Sequence, residues 1–116
     1  MDVKIKNLIN ALTEKTSDSR IKWDRTSRDN EFICNVGSGS ITVDNYMAHD
    51  EYSGEEDQVL DLCILNNQGQ RLERIYYDDS SSVEFKLLLS LHQSIYRKYH
   101  KIDEIIDGII SEISEL

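Results

Sequence analysis

Cysteine and serine, the residue types that most often act as nucleophiles, lack the neighbours that such chemistry needs. Cys34 and Cys63 stand far apart with no CxxC spacing, and both occupy alternating positions of predicted strands, where a thiol is buried and unreactive. A serine nucleophile requires a base and an orienting group, and no stretch of the sequence supplies that set. The glycines of Gly37–Gly39 lack the following helix of a phosphate-binding loop. We therefore expect no catalytic residue and no cofactor.

Histidines beside carboxylates are the remaining candidates for metal or acid–base chemistry. His49 precedes Asp50 and Glu51, whose oxygens suit divalent cations, but the spacing lacks the alternating aspartates and central glycine of a calcium loop. An acidic stretch of this kind is typical of a solvated surface, so we expect no metal site. His92 falls on the apolar stripe of a predicted helix, a position that favours a core histidine over a ligand or a general base.

A short run of cations near the C-terminus has tyrosines between its members, as in surfaces that bind phosphate or single-stranded nucleic acid. The run contains Arg97, Lys98, His100 and Lys101. Its acidic neighbours further along the same helix offer these cations partners three to six positions away. The net charge of −9 also argues against a general nucleic-acid binder, because phosphate backbones require a basic surface. We therefore expect ion pairs on the helix surface and no nucleic-acid contact.

Length and composition predict a single domain, residues 1–116, with one core. Hydrophobic residues make up 39% of the sequence and recur periodically, which distinguishes it from a disordered segment. No apolar run approaches the roughly 18 residues of a membrane-spanning helix, and the N-terminus lacks the features of a signal peptide. Together with two cysteines in no disulfide or metal-binding pattern, these properties predict a cytoplasmic protein with no membrane contact.

The longest periodic stretch is Ser80 to Leu116, which predicts one long amphipathic helix. Its first serines offer capping hydroxyls, and the carboxylates beside them lie where the helix dipole favours negative charge. Apolar residues recur at spacings of three and four along the whole stretch, interrupted only by His92. The stripe consists of Phe85, Leu88, Ile95, Tyr99, Ile102, Ile106, Ile109, Ile113 and Leu116.

The rest of the chain predicts a short helix, Asp2 to Lys15, followed by a run of strands with short connections. Short connections favour antiparallel pairing. From Asp44 to Asp61 there are seven carboxylates and no lysine or arginine, which predicts a mobile acidic loop. The expected fold is α+β, a four- or five-stranded antiparallel meander with an N-terminal helix and a long C-terminal helix packed on one face. The strands are expected near Ile21–Asp24, Glu31–Val36, Ile41–Met47, Leu60–Leu65 and Arg71–Tyr77.

This layout resembles a loose group of small acidic bacterial proteins of unknown function. The resemblance lies in the short first helix, in a strand that carries Trp23 followed by Thr26, and in a terminal helix with acidic and isoleucine residues at Ile102–Ile106. It covers most of the chain. It implies the same fold, and it implies no activity.

The predicted C-terminal helix is longer than the predicted sheet is wide. A helix from residue 82 to 115 would span roughly 50 Å, whereas a sheet of five short strands measures roughly 20 to 25 Å on a side. The sheet is therefore too small to cover the apolar residues after Tyr99. Three arrangements would cover them: a bend near His100 or Gly108, a symmetric partner copy, or a different protein. The residues concerned are Ile102, Ile105, Ile106, Ile109, Ile110, Ile113 and Leu116.

The leading hypothesis is a small acidic module that binds a protein partner, in the manner of an inhibitor, immunity protein, antitoxin or adaptor. The acidic loop would steer it to a basic partner and the isoleucine stripe would supply apolar contact, with a homodimer through the C-terminal helix also possible. The expected contact residues are Asp50, Glu51, Glu55, Glu56 and Asp57 in the loop, and Ile102, Ile105, Ile109 and Ile113 in the stripe.

Two alternatives belong to other classes of function. The first is a small-ligand or nucleotide binder with a pocket between sheet and helix near Trp23, His92 and Arg97. The second is a nucleic-acid mimic, whose carboxylates would imitate phosphates and block a DNA-binding protein. A ligand-induced shift in melting temperature would favour the first, and competition with DNA would favour the second.

Overall fold

A computed structural model describes residues 1–116 as an α+β fold, with a five-stranded antiparallel sheet in the order β1-β2-β3-β4-β5. The fold class predicted from the sequence is confirmed. The sheet follows an N-terminal helix and precedes two C-terminal helices. The elements are α1 (Val3–Ser17), β1 (Asp24–Arg25), β2 (Glu31–Val36), β3 (Gly39–His49), β4 (Glu56–Asn66), β5 (Arg71–Tyr77), α2 (Val83–Tyr99) and α3 (Ile102–Ser114).

Helix α1 begins at a side-chain cap and ends in a polar link to the rest of the fold. The Asp2 carboxylate accepts a hydrogen bond from the Ile5 amide at 2.8 Å, satisfying one of the free amides of the first turn. Near its other end, Thr16 is fully buried and its hydroxyl accepts a 2.9 Å hydrogen bond from the indole N–H of Trp23. This bond attaches the segment after α1 to the core.

Two parts of the sheet differ from the sequence prediction. The first strand is only Asp24–Arg25, and Trp23 packs into the core from irregular chain. The expected mobile loop from Asp44 to Asp61 is wrong, because β3 and β4 pair without interruption from Gly39↔Asn66 to His49↔Glu56. Four of its seven carboxylates therefore lie on strands, and only residues 50–55 form the turn.

The core lies between one face of the sheet and helices α1 and α2. Every second residue of the central strands points into it, and fully buried members of α2 meet them at helical spacing. The opposite face of the sheet carries no helix. The largest completely buried core side chains are Ile9 of α1, Phe32, Val43, Leu60 and Leu62 of the sheet, and Leu88, Leu91 and Ile95 of α2.

The predicted long C-terminal helix is two helices. Helix α2 begins at Ser82, whose hydroxyl accepts a hydrogen bond from the Phe85 amide, and it ends at Tyr99. Lys101 then takes a left-handed conformation, with φ 53° and ψ 40°, and α3 starts without a side-chain cap. A break near His100 was one of the two predicted positions, whereas Gly108 lies inside α3. The break does not place α3 on the sheet, because no residue of α3 is buried.

Candidate interaction site

The apolar face of α3, with Leu116 beyond it, holds six of the fifteen large hydrophobic residues that the chain leaves exposed. At about 100° per residue its isoleucines fall on one side, covering an arc of roughly 140°. Five of them are exposed to between 44% and 61% of their surface, and only Ile102, at the start of the helix, is half-buried. Carboxylates border the arc, with Asp103 and Asp107 along one edge and Glu112 along the other. The five exposed isoleucines are Ile105, Ile106, Ile109, Ile110 and Ile113, and Leu116 is fully exposed beyond them.

Helix α3 projects from the rest of the fold. The radius of gyration is 16.3 Å, compared with about 13 Å expected for a compact chain of this length. The longest dimension of the molecule is 53 Å and the shortest is 28 Å. An ion pair between Arg97 and Asp103 holds only the first turn of α3 against the end of α2. The isoleucine face is therefore free along nearly its whole length.

A groove continues the apolar face of α3 onto the body of the protein. Ile102 lines this groove together with Leu89 and Tyr96 of α2, and its volume is about 710 Å³. Its opposite wall is polar, and includes Asn45 of β3 and Gln58 of β4. The amide of Gln58 donates to the Asn45 side chain at 2.9 Å. One apolar strip thus runs from the groove along α3.

The acidic turn between β3 and β4 is a closed hairpin. The Asp50 amide donates to the Glu55 carbonyl at 2.8 Å, and Gly54 closes the turn with φ 72°. The pKa of Asp50 is lowered, mainly because its carboxylate accepts a hydrogen bond from the Tyr52 amide. All five contact residues predicted in the acidic loop are exposed, with Asp50, Glu51 and Glu55 in the turn and Glu56 and Asp57 at the start of β4.

The three residues of the predicted small-ligand pocket do not share one cavity. Trp23 and Arg97 line a cavity of about 500 Å³, whereas His92 and Arg97 line the groove beside Ile102. Trp23 uses its only polar atom in the bond to Thr16, and His92 donates from Nε2 to the Asn30 carbonyl at 2.7 Å. The side chains expected to recognise a ligand are therefore engaged within the fold.

The cavity beside Trp23 is lined by five cationic and three acidic side chains, an excess of positive charge that the sequence pattern did not reveal. Lys98 and Lys101 belong to the predicted basic run, but Arg20 and Lys22 reach the same cavity from the segment between α1 and β1. None of these four cations forms an ion pair within the chain, since the three salt bridges involve Arg28, Arg74 and Arg97. The two pairs of residues are far apart in the sequence, so no local pattern reveals that they lie together. We name Arg20, Lys22, Lys98 and Lys101 the basic cleft.

The helix-free face of the sheet carries two arginine–aspartate pairs that sequence reasoning missed. Asp44 and Asp61 are direct cross-strand neighbours, an arrangement of like charges that is unfavourable on its own. Arg28 binds Asp44 at 2.7 Å, and Arg74 binds Asp61 through two nitrogens at 2.8 and 3.0 Å. The two aspartates are the ends of the acidic stretch and also fall in the predicted strands Ile41–Met47 and Leu60–Leu65, but no signal in the sequence identified their arginine partners.

Burial shifts the pKa of three titratable groups of the interior. Burial raises the pKa of the Cys34 thiol to about 11 and also raises that of the half-buried Cys63, which disfavours a reactive thiolate at either position. Burial lowers the pKa of His92 and keeps it neutral. No three His, Cys, Asp or Glu side chains are grouped closely enough to hold a metal ion.

Comparison of the chain with protein-family models, with curated proteins and with solved structures gave no match. The resemblance to small acidic bacterial proteins therefore stays a prediction. None of the helices has both the length and the apolar content needed to cross a membrane.

Proposed function

We propose that this protein is an interaction module that binds another polypeptide through the apolar face of α3. The observation that supports this most directly is the set of large side chains on α3 that nothing in the chain covers. Fully burying one such side chain contributes about 1.5 to 3 kcal/mol, so a surface holding several of them forfeits a large free energy in water. An exposed apolar patch of this size, with a polar border, is typical of a protein-binding surface.

The local composition of α3 also supports a bound state as its stable form. Isolated helices shorter than about 12 to 15 residues are marginal in water, and α3 has 13 residues. Gly108 weakens it, its start has no side-chain cap, and its last turn carries Glu112 where the dipole favours a cation. Contact with a partner would supply the packing that α3 lacks.

The acidic hairpin extends the proposed site through charge. Its carboxylates add to the negative charge that borders the apolar face of α3, and negative charge accelerates encounter with a basic surface. Met47 and Tyr52 are exposed on the same hairpin and add apolar contact area. This combination fits a small inhibitor, immunity protein, antitoxin or adaptor, all of which act by occupying a surface of another protein.

The proposal is tested by placing a photo-crosslinking amino acid on α3 of the full-length protein in its native cells. At Ile109, in the middle of the apolar face, it should give a discrete crosslinked product. Ser111, on the opposite face of the same helix, is the matched control and should give little. Equal crosslinking at both positions, or none at either, would refute an interaction site on this face.

The contribution of the acidic hairpin to association is tested after a crosslinked partner has been identified. Neutralising Asp50, Glu51, Glu55, Glu56 and Asp57 to their amides should slow association at low salt. The control removes the same amount of charge from other exposed positions, namely Glu14, Asp18, Asp29, Glu73 and Asp78. If both variants associate with the partner at the same rate, the net charge of the protein controls the association rate and the position of the charge on the hairpin does not.

A further inference from the structure

We infer that the polypeptide covering α3 is a second copy of this chain, with the two α3 helices paired antiparallel about Ile109. The inference rests on the proposed function, because it names the partner of the same apolar face. It follows from three properties of the chain: the symmetry of the apolar spacing, the distribution of charge along α3, and the area available for contact.

The apolar spacing of α3 reads almost the same in both directions from Ile109. In an antiparallel pair centred there, Ile109 meets its own copy, Ile105 meets Ile113, and Ile102 meets Leu116. Every one of these positions is apolar. A two-fold interface requires such self-complementarity, since the same patch serves both copies. Leu116 of the second copy would then reach the groove beside Ile102, which has Leu89 and Tyr96 on its wall.

Charge decides the direction of pairing. From Ile102 to Leu116 there are five carboxylates and no cation, and Glu112 and Glu115 lie at the far end. The cavity at the start of α3 is lined by the basic cleft and Arg97, five cations against the three carboxylates of Asp24, Asp103 and Glu104, so this end has an excess of positive charge. Antiparallel pairing brings the acidic end of each helix to the basic start of the other. Parallel pairing would place the two acidic ends together and the two basic cleft regions together, which costs energy at both ends.

The area is sufficient for a dimer and small enough to make it reversible. Covering the half-exposed isoleucines and the terminal leucine of two copies would remove on the order of 1,200 Å² from water, the lower limit for specific protein interfaces. Each copy of α3 also gains the packing that its short length requires. We expect a dimer that dissociates on dilution, with its two bodies at opposite ends of the helix pair.

The first experiment measures mass by sedimentation equilibrium over a wide range of concentration. The wild-type protein should shift from monomer towards dimer on concentration. Ile109→Asp should stay monomeric, and Ser111→Asp, which adds the same charge on the opposite face, should behave as wild type. Fluorescence of Trp23, the sole tryptophan, reports whether the core of each variant is folded.

The second experiment determines the direction of pairing. A chain carrying Ile105→Cys is mixed with a larger, tagged chain carrying Ile113→Cys, and the mixture is oxidised mildly. Antiparallel pairing predicts the mixed disulfide as the main product. Parallel pairing predicts disulfides between identical chains, which would overturn the inference. Oxidised wild-type protein gives the background from Cys34 and Cys63.

The outcomes separate this inference from the proposed function. If the wild-type protein stays monomeric while Ile109 crosslinks to a different protein in cells, the second copy is excluded and the interaction module stands. If it stays monomeric and Ile109 crosslinks to nothing, both fail. Dimerisation that Ile109→Asp does not weaken would show that the copies pair through another surface, and would overturn the inference as well.

Discussion

Helices α2 and α3 have the same amphipathic pattern, yet one is docked and the other is not. Helix α2 buries five residues of its apolar face against the sheet and α1, whereas α3 buries none. Their apolar stripes would form one continuous line if the helix did not break. The difference shows that periodicity specifies which face of a helix requires cover, but not what provides the cover.

The break between the two helices lies where the body of the protein ends. Tyr99, the last residue of α2, still packs against Phe32, with ring centroids 5.2 Å apart. The His100 amide donates to the Tyr96 carbonyl, and Lys101 then adopts a left-handed backbone that costs a residue other than glycine roughly 1 kcal/mol or more. Beyond Ile102, which still lines the groove with Leu89 and Tyr96, every residue of α3 is exposed, so packing on the body no longer opposes the break.

The two helices should differ most in how far truncation of an apolar residue lowers the free energy of unfolding. Leu88→Ala empties a fully buried position of α2 and should lower the free energy of unfolding by about 2 to 5 kcal/mol. Ile109→Ala should leave it within about 0.5 kcal/mol at a concentration where the protein is monomeric. Urea unfolding followed by Trp23 fluorescence measures both. A large loss for Ile109→Ala would show that α3 packs on its own chain.

Removal of a buried hydroxyl should likewise lower stability more than removal of an exposed hydroxyl on α3. Thr16→Val keeps the shape of the side chain but leaves the buried indole N–H of Trp23 without its acceptor, which should cost about 1 to 3 kcal/mol. Ser114→Ala removes a hydroxyl that donates to the Ile110 carbonyl at 2.9 Å on the surface of α3, and should change little. Denaturation midpoints compare the two directly. Equal losses would contradict the assignment of α3 as undocked.

The pH dependence of stability should originate in the docked helix through His92. Burial lowers the pKa of His92 below 6.5, against smaller opposing effects from the Asn30 carbonyl and the charge of Asp44. The unfolded chain therefore binds the proton more readily, so the contribution is complete above pH 6.5 and is lost as pH falls towards the folded pKa. Unfolding of wild type and His92→Gln between about pH 7.5 and 5.5 tests this. A slope unchanged in His92→Gln would exclude His92 as its source.

The smallest expected effect is an increase in the helical stability of α3. Gly108 has ordinary backbone angles and open space where a methyl group would lie, so Gly108→Ala should favour the helix by about 1 kcal/mol. The midpoint of global unfolding of the monomer should stay the same, because α3 is not part of the core. Association through α3 should tighten by about fivefold for each copy that contributes the helix, or roughly 30-fold for a pair, as sedimentation equilibrium would show. Weaker association would mean that α3 does not bind as a helix.

The predictions that succeeded rest on patterns that are local in the chain. The strand at Glu31–Val36 matches the structure because Phe32 and Cys34 alternate with less buried neighbours within the segment. The strand at Arg71–Tyr77 matches although its apolar residues do not alternate, because it directly follows a hairpin turn. The prediction of a buried His92 also holds, since Leu88 and Ile95, at helical spacing on either side of it, are core residues. The predicted loop is wrong over much of the acidic segment because the strands there are stabilised by partners elsewhere in the chain, notably Arg28 and Arg74.

The sequence by itself determined the fold class, the docked face of α2 and the surplus of apolar surface in the last helix, because each depends on spacing along a continuous segment. Only the tertiary structure decided three other features. It placed the helix break at Lys101, it paired Asp44 and Asp61 with arginines from distant segments, and it gathered the basic cleft around the start of α3. These depend on which distant residues become neighbours in space, and on where the sheet ends, neither of which a local pattern contains.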